Sequence, residues 1–420
     1  MSRKASGDSV TAAGLAPAPP IALYVHVPFC VSLCPYCDFV VIAGSAARGP
    51  RNRIATYLSA VLVEIDLRAN ALDVAFGRPG TAGRPALETV YLGGGTPSLL
   101  PPADVEGLLA RVRERFGISA DAEITLEANP GPDERGDPAA LRRAGVTRIS
   151  FGAQSLDDTE LRKLGRRHRA RHVADAVAAA RAAGVGSINV DLLYDIPDTD
   201  LRTWMATLDG VLALEPDHLS LYALTLDDPE AEGLAGPTGD HLPVTRGARR
   251  WRDAVRPGQD EDRAAAQYHY ATVALADVGY RGYEISNWAR PGHESRHNLA
   301  YWQRRPHEAV GPGAHAFDGA TRRWSAARLD GYVAALNAPE PALPPGGEEA
   351  LDPATSIAEA VILGLRLDTG VPLATAHEPP LADAFGWALA AELLDVTPDE
   401  RVVLTTRGRL LSNELFARLI

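Results

Sequence analysis

Short apolar runs alternate with amphipathic segments through the first half of the chain. The runs are rich in β-branched, aromatic and aliphatic residues and predict six strands, at residues 23–27, 88–92, 123–128, 148–151, 187–194 and 218–224. Apolar residues recur at helical spacing between them, at residues 51–76, 102–116, 137–144, 172–183 and 200–214. Strand–helix repetition with short turns predicts a parallel sheet with right-handed crossovers. Six such units are too few for a closed eight-stranded barrel, so we expect an α/β fold with an open, partial (β/α)6 barrel.

The second half of the chain does not continue this repetition. Residues 233–258 are rich in Gly and Pro and predict a variable surface insertion, and residues 280–288 predict a further strand. Residues 338–352 predict a Pro/Gly-rich linker to the remaining chain. Residues 402–411 predict a hairpin that turns at Gly408. Helices followed by a terminal hairpin predict a small C-terminal, winged-helix-like domain.

The composition places the chain among globular proteins. Its 420 residues are 46% hydrophobic and 23% charged, and no stretch approaches the length of a membrane span. The formal net charge of −12 argues against general nucleic-acid binding and favours solubility. Residues 1–20 are rich in Ala, Ser, Gly and Pro without a signal-peptide core, and they predict a disordered tail. We expect a core domain over residues 21–316 and a C-terminal domain over residues 317–420.

All three cysteines, Cys30, Cys34 and Cys37, lie on one predicted loop directly after the first strand, with the spacing C-x3-C-x2-C. Loops at the carboxyl ends of strands carry functional sites in α/β folds. A disulfide framework is a poor explanation, because it needs paired cysteines and an oxidising compartment. A structural zinc site needs four ligands, and His26 is the candidate for the fourth. An iron–sulfur cluster is favoured because it suits soft thiolates, and three ligands would leave one iron open. An oxygen-sensitive cluster without disulfides predicts a cytoplasmic location.

The wider string over residues 24–39, Y-x-H-x-P-F-C-x3-C-x-Y-C-D-F, resembles the signature of the radical S-adenosylmethionine (SAM) superfamily. Within it, the string is similar to the branch that holds oxygen-independent coproporphyrinogen III oxidases (HemN) and haem chaperones (HemW). The resemblance covers residues 21–316, and a weaker resemblance continues towards the C-terminus. It implies a [4Fe–4S] cluster on the three cysteines, SAM bound to the open iron, and an electron donor that reduces the cluster.

Several residues have the right chemistry for such a pocket. The glycines of residues 93–97 at a strand end allow a ligand to approach the backbone, although a tight turn alone would also use them. Glu127, at the next strand end, can accept ribose hydroxyls, and Asp191 within an apolar strand needs a partner or a function. The resemblance implies that SAM is bound by Tyr24, Tyr36, Gly94, Gly95, Thr96, Glu127, Gln154, Arg166, Asp191 and Ala223.

Two features separate the functions within this branch. Phe39 stands where the oxidases carry a fourth cysteine, and the C-D-F string is similar to the chaperones. His297, Asn298, Tyr301 and Trp302 resemble the chaperone motif H-N-x2-Y-W. His297 would be an axial haem ligand beside two flat aromatic rings, or these residues would simply support a loop and the core. Candidate second ligands flank the motif: His293, His307 and His315.

The resemblance therefore implies a haem chaperone that hands haem to acceptor proteins such as respiratory haemoproteins. Whether the protein is also an enzyme is left open. The alternatives are an oxygen-independent coproporphyrinogen III oxidase, a different radical SAM reaction, and a non-catalytic zinc protein. Phe39 counts against the oxidase. A homodimer and peripheral membrane contact are also left open.

Overall fold

The computed structural model describes residues 16–47, 52–226, 229, 231, 233–379 and 381–420. Most of the predicted disordered tail, residues 1–15, lies outside these ranges. The described end of that segment is attached to the core, because the Ala18 amide donates a hydrogen bond of 2.7 Å to the Asp318 carbonyl. Within the described ranges, no helix is both long enough and apolar enough to span a bilayer.

The described chain alternates between strands and helices. In chain order the strands are β1 (Ala22–Val27), β2 (Phe29–Cys30), β3 (Ile42–Ala43), β4 (Leu87–Gly94), β5 (Ile118–Ala128), β6 (Arg148–Gln154), β7 (Ser187–Tyr194), β8 (His218–Ala223), β9 (Arg281–Gly282), β10 (Asn287–Ala289), β11 (His307–Val310), β12 (His315–Phe317), β13 (Thr321–Ser325), β14 (Gly346–Ala350), β15 (Val371–Pro372), β16 (Leu394–Val396) and β17 (Arg401–Leu404). The α-helices are α1 (Ile54–Phe76), α2 (Pro102–Phe116), α3 (Pro138–Ala144), α4 (Asp158–Lys163), α5 (Ala170–Ala182), α6 (Leu201–Leu212), α7 (Arg246–Val255), α8 (Glu261–Asp277), α9 (Arg296–Trp302), α10 (Leu329–Leu336), α11 (Pro353–Arg366), α12 (Ala382–Ala390), α13 (Thr406–Leu410) and α14 (Ser412–Phe416).

The six predicted strands form the parallel centre of the sheet, in the order β1-β4-β5-β6-β7-β8. Each is largely buried, and one continuous core joins the strands to the helices between them. This confirms the open (β/α)6 arrangement, because the sheet of the described residues runs from β14 at one edge to β9 at the other without closing. The carboxyl ends of the six strands therefore lie along one edge, which is where ligands bind in such sheets.

The sheet continues on both sides to twelve strands, and two predictions outside the centre were wrong. Residues 280–288 form no single strand, because β9 and β10 pair antiparallel beside β8. The predicted linker contains β14, which pairs with β13. A Cβ at Gly347 would overlap the Trp324 ring, so the glycine that indicated a linker is needed for strand packing.

A second hydrophobic core lies in the C-terminal part of the chain, where α11, α12 and a three-stranded sheet β15-β17-β16 pack together. The predicted hairpin at 402–411 was wrong. The hairpin is formed by β16 and β17, and Gly408 lies in α13, where its amide donates to the Thr405 hydroxyl at 2.9 Å. The domain boundary at residue 317 stays a prediction.

A buried carboxylate joins α1 to α10 and to the turn after β11. Glu64 is fully buried and accepts hydrogen bonds from the Gly311 amide at 2.9 Å and the Tyr332 hydroxyl at 2.6 Å. Its other oxygen accepts two hydrogen bonds from Arg68, at 3.1 and 2.9 Å. Glu64 thereby fixes α1 against α10 and the turn after β11.

Replacing Glu64 with Ala should destabilise the fold strongly, because Arg68, Gly311 and Tyr332 would all lose a buried partner. We expect the free energy of unfolding to fall by about 3–5 kcal/mol, measured by urea denaturation. The control is Glu114→Ala, which removes a 65% exposed carboxylate paired with Arg111 and should cost less than about 1 kcal/mol. Equal losses in the two variants would contradict this account.

Candidate functional site

The cysteine loop is fixed at both ends beside β1. After Pro28 the chain forms β2, which pairs with β3 and so closes residues 31–41 into a loop. The Ile42 amide donates to the Pro28 carbonyl at 2.6 Å, and the Cys37 amide donates to the Cys34 carbonyl at 3.1 Å. Cys30, Cys34 and Cys37 are free and half-buried on this loop. The structure thus brings the predicted thiols to the carboxyl end of β1.

His26 is not placed to act as the fourth ligand of a zinc site. Its Nε2 lies 2.7 Å from the Val40 carbonyl, and its Nδ1 lies 3.0 Å from the Tyr24 hydroxyl. Since a carbonyl can only accept, Nε2 donates to Val40 and Nδ1 accepts from Tyr24. Burial lowers the pKa of His26 to about 4, which keeps the ring neutral in this role. His26 therefore holds the end of the cysteine loop, and Tyr24 contacts it.

The three thiols fit a cluster better than a single ion. Within the described residues, no group of three His, Cys, Asp or Glu side chains could hold one metal ion. Burial raises the pKa of the Cys30 thiol to about 11 and also raises the pKa of Cys37, so the thiolates require a bound cation. Three soft donors spread over one loop are the ligand set of an iron–sulfur cluster.

A chain of polar contacts connects the cysteine loop to the carboxyl-terminal parts of β4, β5 and β6. The Thr96 hydroxyl lies 3.4 Å from the Cys30 sulfur and accepts a hydrogen bond of 3.1 Å from Asn129. Arg166 contacts the Asn129 side chain and donates to the Gly152 carbonyl at 2.6 Å. Its Nη1 lies 3.6 Å from the Cys34 sulfur, so a guanidinium charge stands beside the thiols.

Asn129 was not singled out from the sequence, although this residue directly follows Ala128, the last residue of β5. Its position could have indicated a role in the site, because Asn129 is polar and follows the candidate Glu127 by two residues at the end of a strand.

The glycines after β4 are required by packing. The Gly95 amide donates to the Val27 carbonyl at 2.9 Å, and the Thr96 amide donates to the Phe29 carbonyl at 2.8 Å. A Cβ at Gly95 would lie 2.7 Å from the Phe29 carbonyl oxygen, and one at Gly94, whose φ is +108°, would overlap the His26 ring. The structural role of these glycines is therefore established, and their contact with SAM stays a prediction.

Glu127 joins the glycine turn to the third strand of the core. Its carboxylate accepts hydrogen bonds of 2.8 Å from the Gly94 amide and from the Tyr91 hydroxyl. Burial raises the pKa of the Glu127 carboxyl to about 7, and the charge of Asp191 adds to this rise. Tyr91, which sequence reasoning also missed, thus belongs to the site.

The remaining predicted pocket residues come from β6, β7 and β8. Asp191 accepts hydrogen bonds from Asn189 at 2.6 Å and from Ser150 at 3.2 Å, and burial raises its pKa. Gln154 has a left-handed backbone, with φ of +69°, at a register shift between β6 and β7. Ala223 is the last residue of β8. The structure therefore places these side chains along the predicted edge.

The segment predicted as a variable surface insertion holds part of the site. Within it, α7 carries the buried Arg252, whose guanidinium donates to the carbonyls of Pro35 at 3.0 Å, Tyr36 at 3.2 Å and Cys37 at 3.0 Å. Tyr36 packs against an apolar cluster that also contains Trp251. Helix α7 therefore fixes the backbone on both sides of the last cysteine.

The histidine of the H-N-x2-Y-W motif lies inside the protein. His297, on α9, is only 1% exposed, and its ring stacks on Tyr91 with centroids 5.0 Å apart. Its Nδ1 lies 2.7 Å from the Thr89 hydroxyl and its Nε2 lies 2.8 Å from the Tyr301 hydroxyl. Burial lowers the pKa of His297 to about 3. Both nitrogens are engaged, so direct haem ligation would require the ring to turn away from Thr89 or Tyr301.

The three flanking histidines are separated. His293 lies 3.2 Å from the hydroxyl of Ser187, the first residue of β7. The His307 ring packs against Tyr301, with centroids 4.6 Å apart, and His315 stands on β12 with its ring half exposed. Their assignment as second haem ligands stays a prediction.

The raised pKa of Glu127 predicts a pH-dependent stability difference. Between its ordinary value of 4.5 and about 7, the folded protein holds a proton that the unfolded chain releases, so this group's stabilisation falls as the pH rises. The test is urea denaturation of wild type and Glu127→Gln, both prepared without cofactors. The free energy of unfolding of wild type minus that of Glu127→Gln should decrease by about 2 kcal/mol from pH 5 to pH 8. The exposed substitution Glu114→Gln should show no such trend, and an increase for Glu127→Gln would contradict the assignment.

Comparison with known proteins identifies the family of this chain. Residues 24–209 match the family model of the radical SAM superfamily. The chain is 37% identical over 411 residues to the protein named heme chaperone HemW of Mycobacterium tuberculosis, covering 97% of each chain. It is 36% identical over 299 residues to the protein of that name in Escherichia coli, covering 71% of this chain and 70% of the relative.

A solved structure has the same architecture. The coproporphyrinogen III oxidase HemN of Escherichia coli, a radical SAM enzyme, superposes with a TM-score of 0.76 at 25% identity, covering 98% of this chain and 92% of that one. The similarity to the Mycobacterium tuberculosis relative extends over nearly the full length of both proteins. The chain therefore belongs to the HemW family within the radical SAM superfamily.

Proposed function

We propose that this protein is a haem chaperone, which binds haem and transfers it to acceptor haemoproteins. The observation that carries the proposal is Phe39. It stands where the oxidases have a fourth cysteine, and it is 64% exposed on the cysteine loop. The names of relatives that match 97% and 71% of the chain support the same function. A thiol in the oxidases is thus replaced here by an exposed aromatic face, which suits a flat apolar ligand.

The resemblance to the radical SAM superfamily also implies residues for a cluster and for SAM. We propose that Cys30, Cys34 and Cys37 hold the [4Fe–4S] cluster, which supplies an electron when it is bound and reduced. Among the predicted SAM residues, Glu127 on β5 and Asp191 on β7 offer carboxylate oxygens, and Arg166 offers a positive charge beside Cys34. An electron donor, respiratory acceptor proteins and a cytoplasmic location belong to this proposal.

The second candidate is the coproporphyrinogen oxidase, which the structural similarity to HemN favours. In that reaction two propionates of the substrate lose hydrogen and carbon dioxide. The two functions are separated by an anaerobic assay with coproporphyrinogen, SAM and a reductant, using HemN as the positive control. We expect no conversion to protoporphyrinogen, and robust conversion would overturn the chaperone proposal.

Haem titration tests the chaperone directly. We expect wild-type protein to bind haem and His297→Ala to bind it more weakly, because Tyr301 would lose the hydrogen bond to His297 that fixes its hydroxyl. The binding constant is measured by absorbance, and the melting temperature of each variant shows that the protein is folded. His269→Ala, an exposed histidine on α8, is the matched control. Wild type without haem binding would contradict the function, whereas equal binding by His297→Ala would remove only His297 from the site.

The contacts of Arg252 predict that it supports cluster loading from outside the loop. Arg252→Gln should lower the iron and sulfide content of anaerobically reconstituted protein to less than about half, because at least two carbonyls around Cys37 lose a charged donor. The exposed Arg250→Gln on the same helix should load like wild type. Full loading of Arg252→Gln would show that α7 is dispensable for the loop.

A further inference from the structure

A large cleft lies between strands β11–β13 and helix α11. Its volume is about 730 Å³, which is in the range of small-molecule and cofactor sites. Aromatic and aliphatic side chains dominate its walls: Tyr24, Phe39, Tyr301, Trp302, Phe317 and Ile362. Two of these, Tyr301 and Trp302, belong to the H-N-x2-Y-W motif, and Phe39 belongs to the cysteine loop. The cleft therefore offers flat apolar surface beside the proposed cluster.

One end of the cleft carries two imidazoles that share a carboxylate. Asp240 lies 3.0 Å from His241 Nδ1 and 2.8 Å from His315 Nε2. A histidine whose second nitrogen is bonded to a carboxylate is the usual arrangement of a metal ligand, since the carboxylate fixes the ring and raises its basicity. Among the described residues, nothing else bonds to His241 Nε2 or His315 Nδ1. Both residues line the cleft, and each ring keeps one nitrogen as a possible ligand for an iron bound there.

Another part of the cleft wall carries donors for an acidic group. Arg304 and Arg322 both line it and share the carboxylate of Glu359, at 3.5 and 2.5 Å. The side-chain nitrogens Trp302 Nε1 and Arg304 Nε are buried and make no hydrogen bond within the described part of the chain. Buried donors without a partner cost about 1–3 kcal/mol each, so a ligand carboxylate would satisfy them once either side chain turned towards the cleft.

We propose that haem binds in this cleft, with its iron on an imidazole oriented by Asp240 and its propionates at Trp302, Arg304 and Arg322. This inference rests on the proposed chaperone function and gives that function a site. It also assigns roles to two earlier residues. Phe39 contributes a wall that a cysteine would not, and His297 positions Tyr301 from behind the cleft. Bound haem would then lie against the loop of the cluster cysteines.

The iron ligand is tested by titrating ferric haem into the full-length protein and recording the absorbance and electron paramagnetic resonance spectra. We expect the double variant His241→Ala/His315→Ala to lose the histidine-ligated spectrum and to bind haem at least about tenfold more weakly. Added imidazole should restore that spectrum. Each single variant then shows which ring is the ligand. His297→Ala should keep the wild-type spectrum and lose only affinity, and His269→Ala should change neither.

The propionate contacts are tested by Arg304→Gln together with the dimethyl ester of haem, which lacks free carboxylates. We expect Arg304→Gln to weaken haem binding by about three- to tenfold and to leave binding of the ester unchanged. The reason is that only the free propionates of haem would bind the guanidinium of Arg304 as carboxylates. Arg250→Gln on α7 is the control for a lost surface charge. An equal loss for haem and ester would overturn the propionate assignment.

The outcomes separate this site from the function itself. If wild-type protein binds no haem, the chaperone proposal fails and the cleft proposal fails with it. If wild-type protein binds haem while the double histidine variant and Arg304→Gln bind like wild type, the cleft is wrong and the chaperone stands. If His297→Ala alone changed the spectrum, the iron ligand would be His297 and not an imidazole bonded to Asp240.

Discussion

The turn after β4 lies so close to the start of the cysteine loop that no side chain fits between them. Gly95 donates to Val27, Thr96 donates to Phe29, and a Cβ at Gly95 would collide with the Phe29 backbone. This close approach brings the Thr96 hydroxyl to Cys30. From Thr96 the hydrogen bonds continue through Asn129 towards Arg166 and Cys34. The geometry of the thiols therefore depends on a glycine that contributes no atom beyond its backbone.

Charge in this region is distributed at a cost to stability. Arg166 and Arg252 present guanidinium groups to the cysteine loop, one near a sulfur and one to backbone carbonyls. Glu127 and Asp191 are desolvated, and within the described residues their hydrogen bonds come only from neutral donors. Keeping two carboxyl groups desolvated and without a charged partner lowers the free energy of unfolding. Buried acids of this kind are typical of functional sites, where the fold is less stable than it could be and the polar groups are held ready for a ligand.

The centre of the fold could be predicted from the sequence because its causes are local. Apolar alternation in six segments predicts six strands, and parallel pairing then places Glu127, Gln154 and Ala223 at one edge. The errors occurred where a distant contact decides the structure. Gly347 indicated a linker in the sequence, but in the structure it is the glycine on which the Trp324 ring packs. Arg252 lies in a segment that was predicted to be at the surface, yet its guanidinium binds carbonyls more than two hundred positions earlier. The contact of His297 with Thr89 could not be predicted either, since His297 lies on α9 and Thr89 lies on β4, more than two hundred positions earlier.

The position of His297 also constrains how a sequence motif relates to a binding site. A histidine that ligates iron needs a free nitrogen at a surface that the ligand can reach, and His297 has neither in this arrangement. The tyrosine and tryptophan of the same motif do reach the large cleft. Helical spacing explains the division, because Tyr301 lies four residues after His297 and so stacks over the same face of α9. The histidine supports Tyr301 from inside, while Tyr301 and Trp302 form the surface that a ligand contacts.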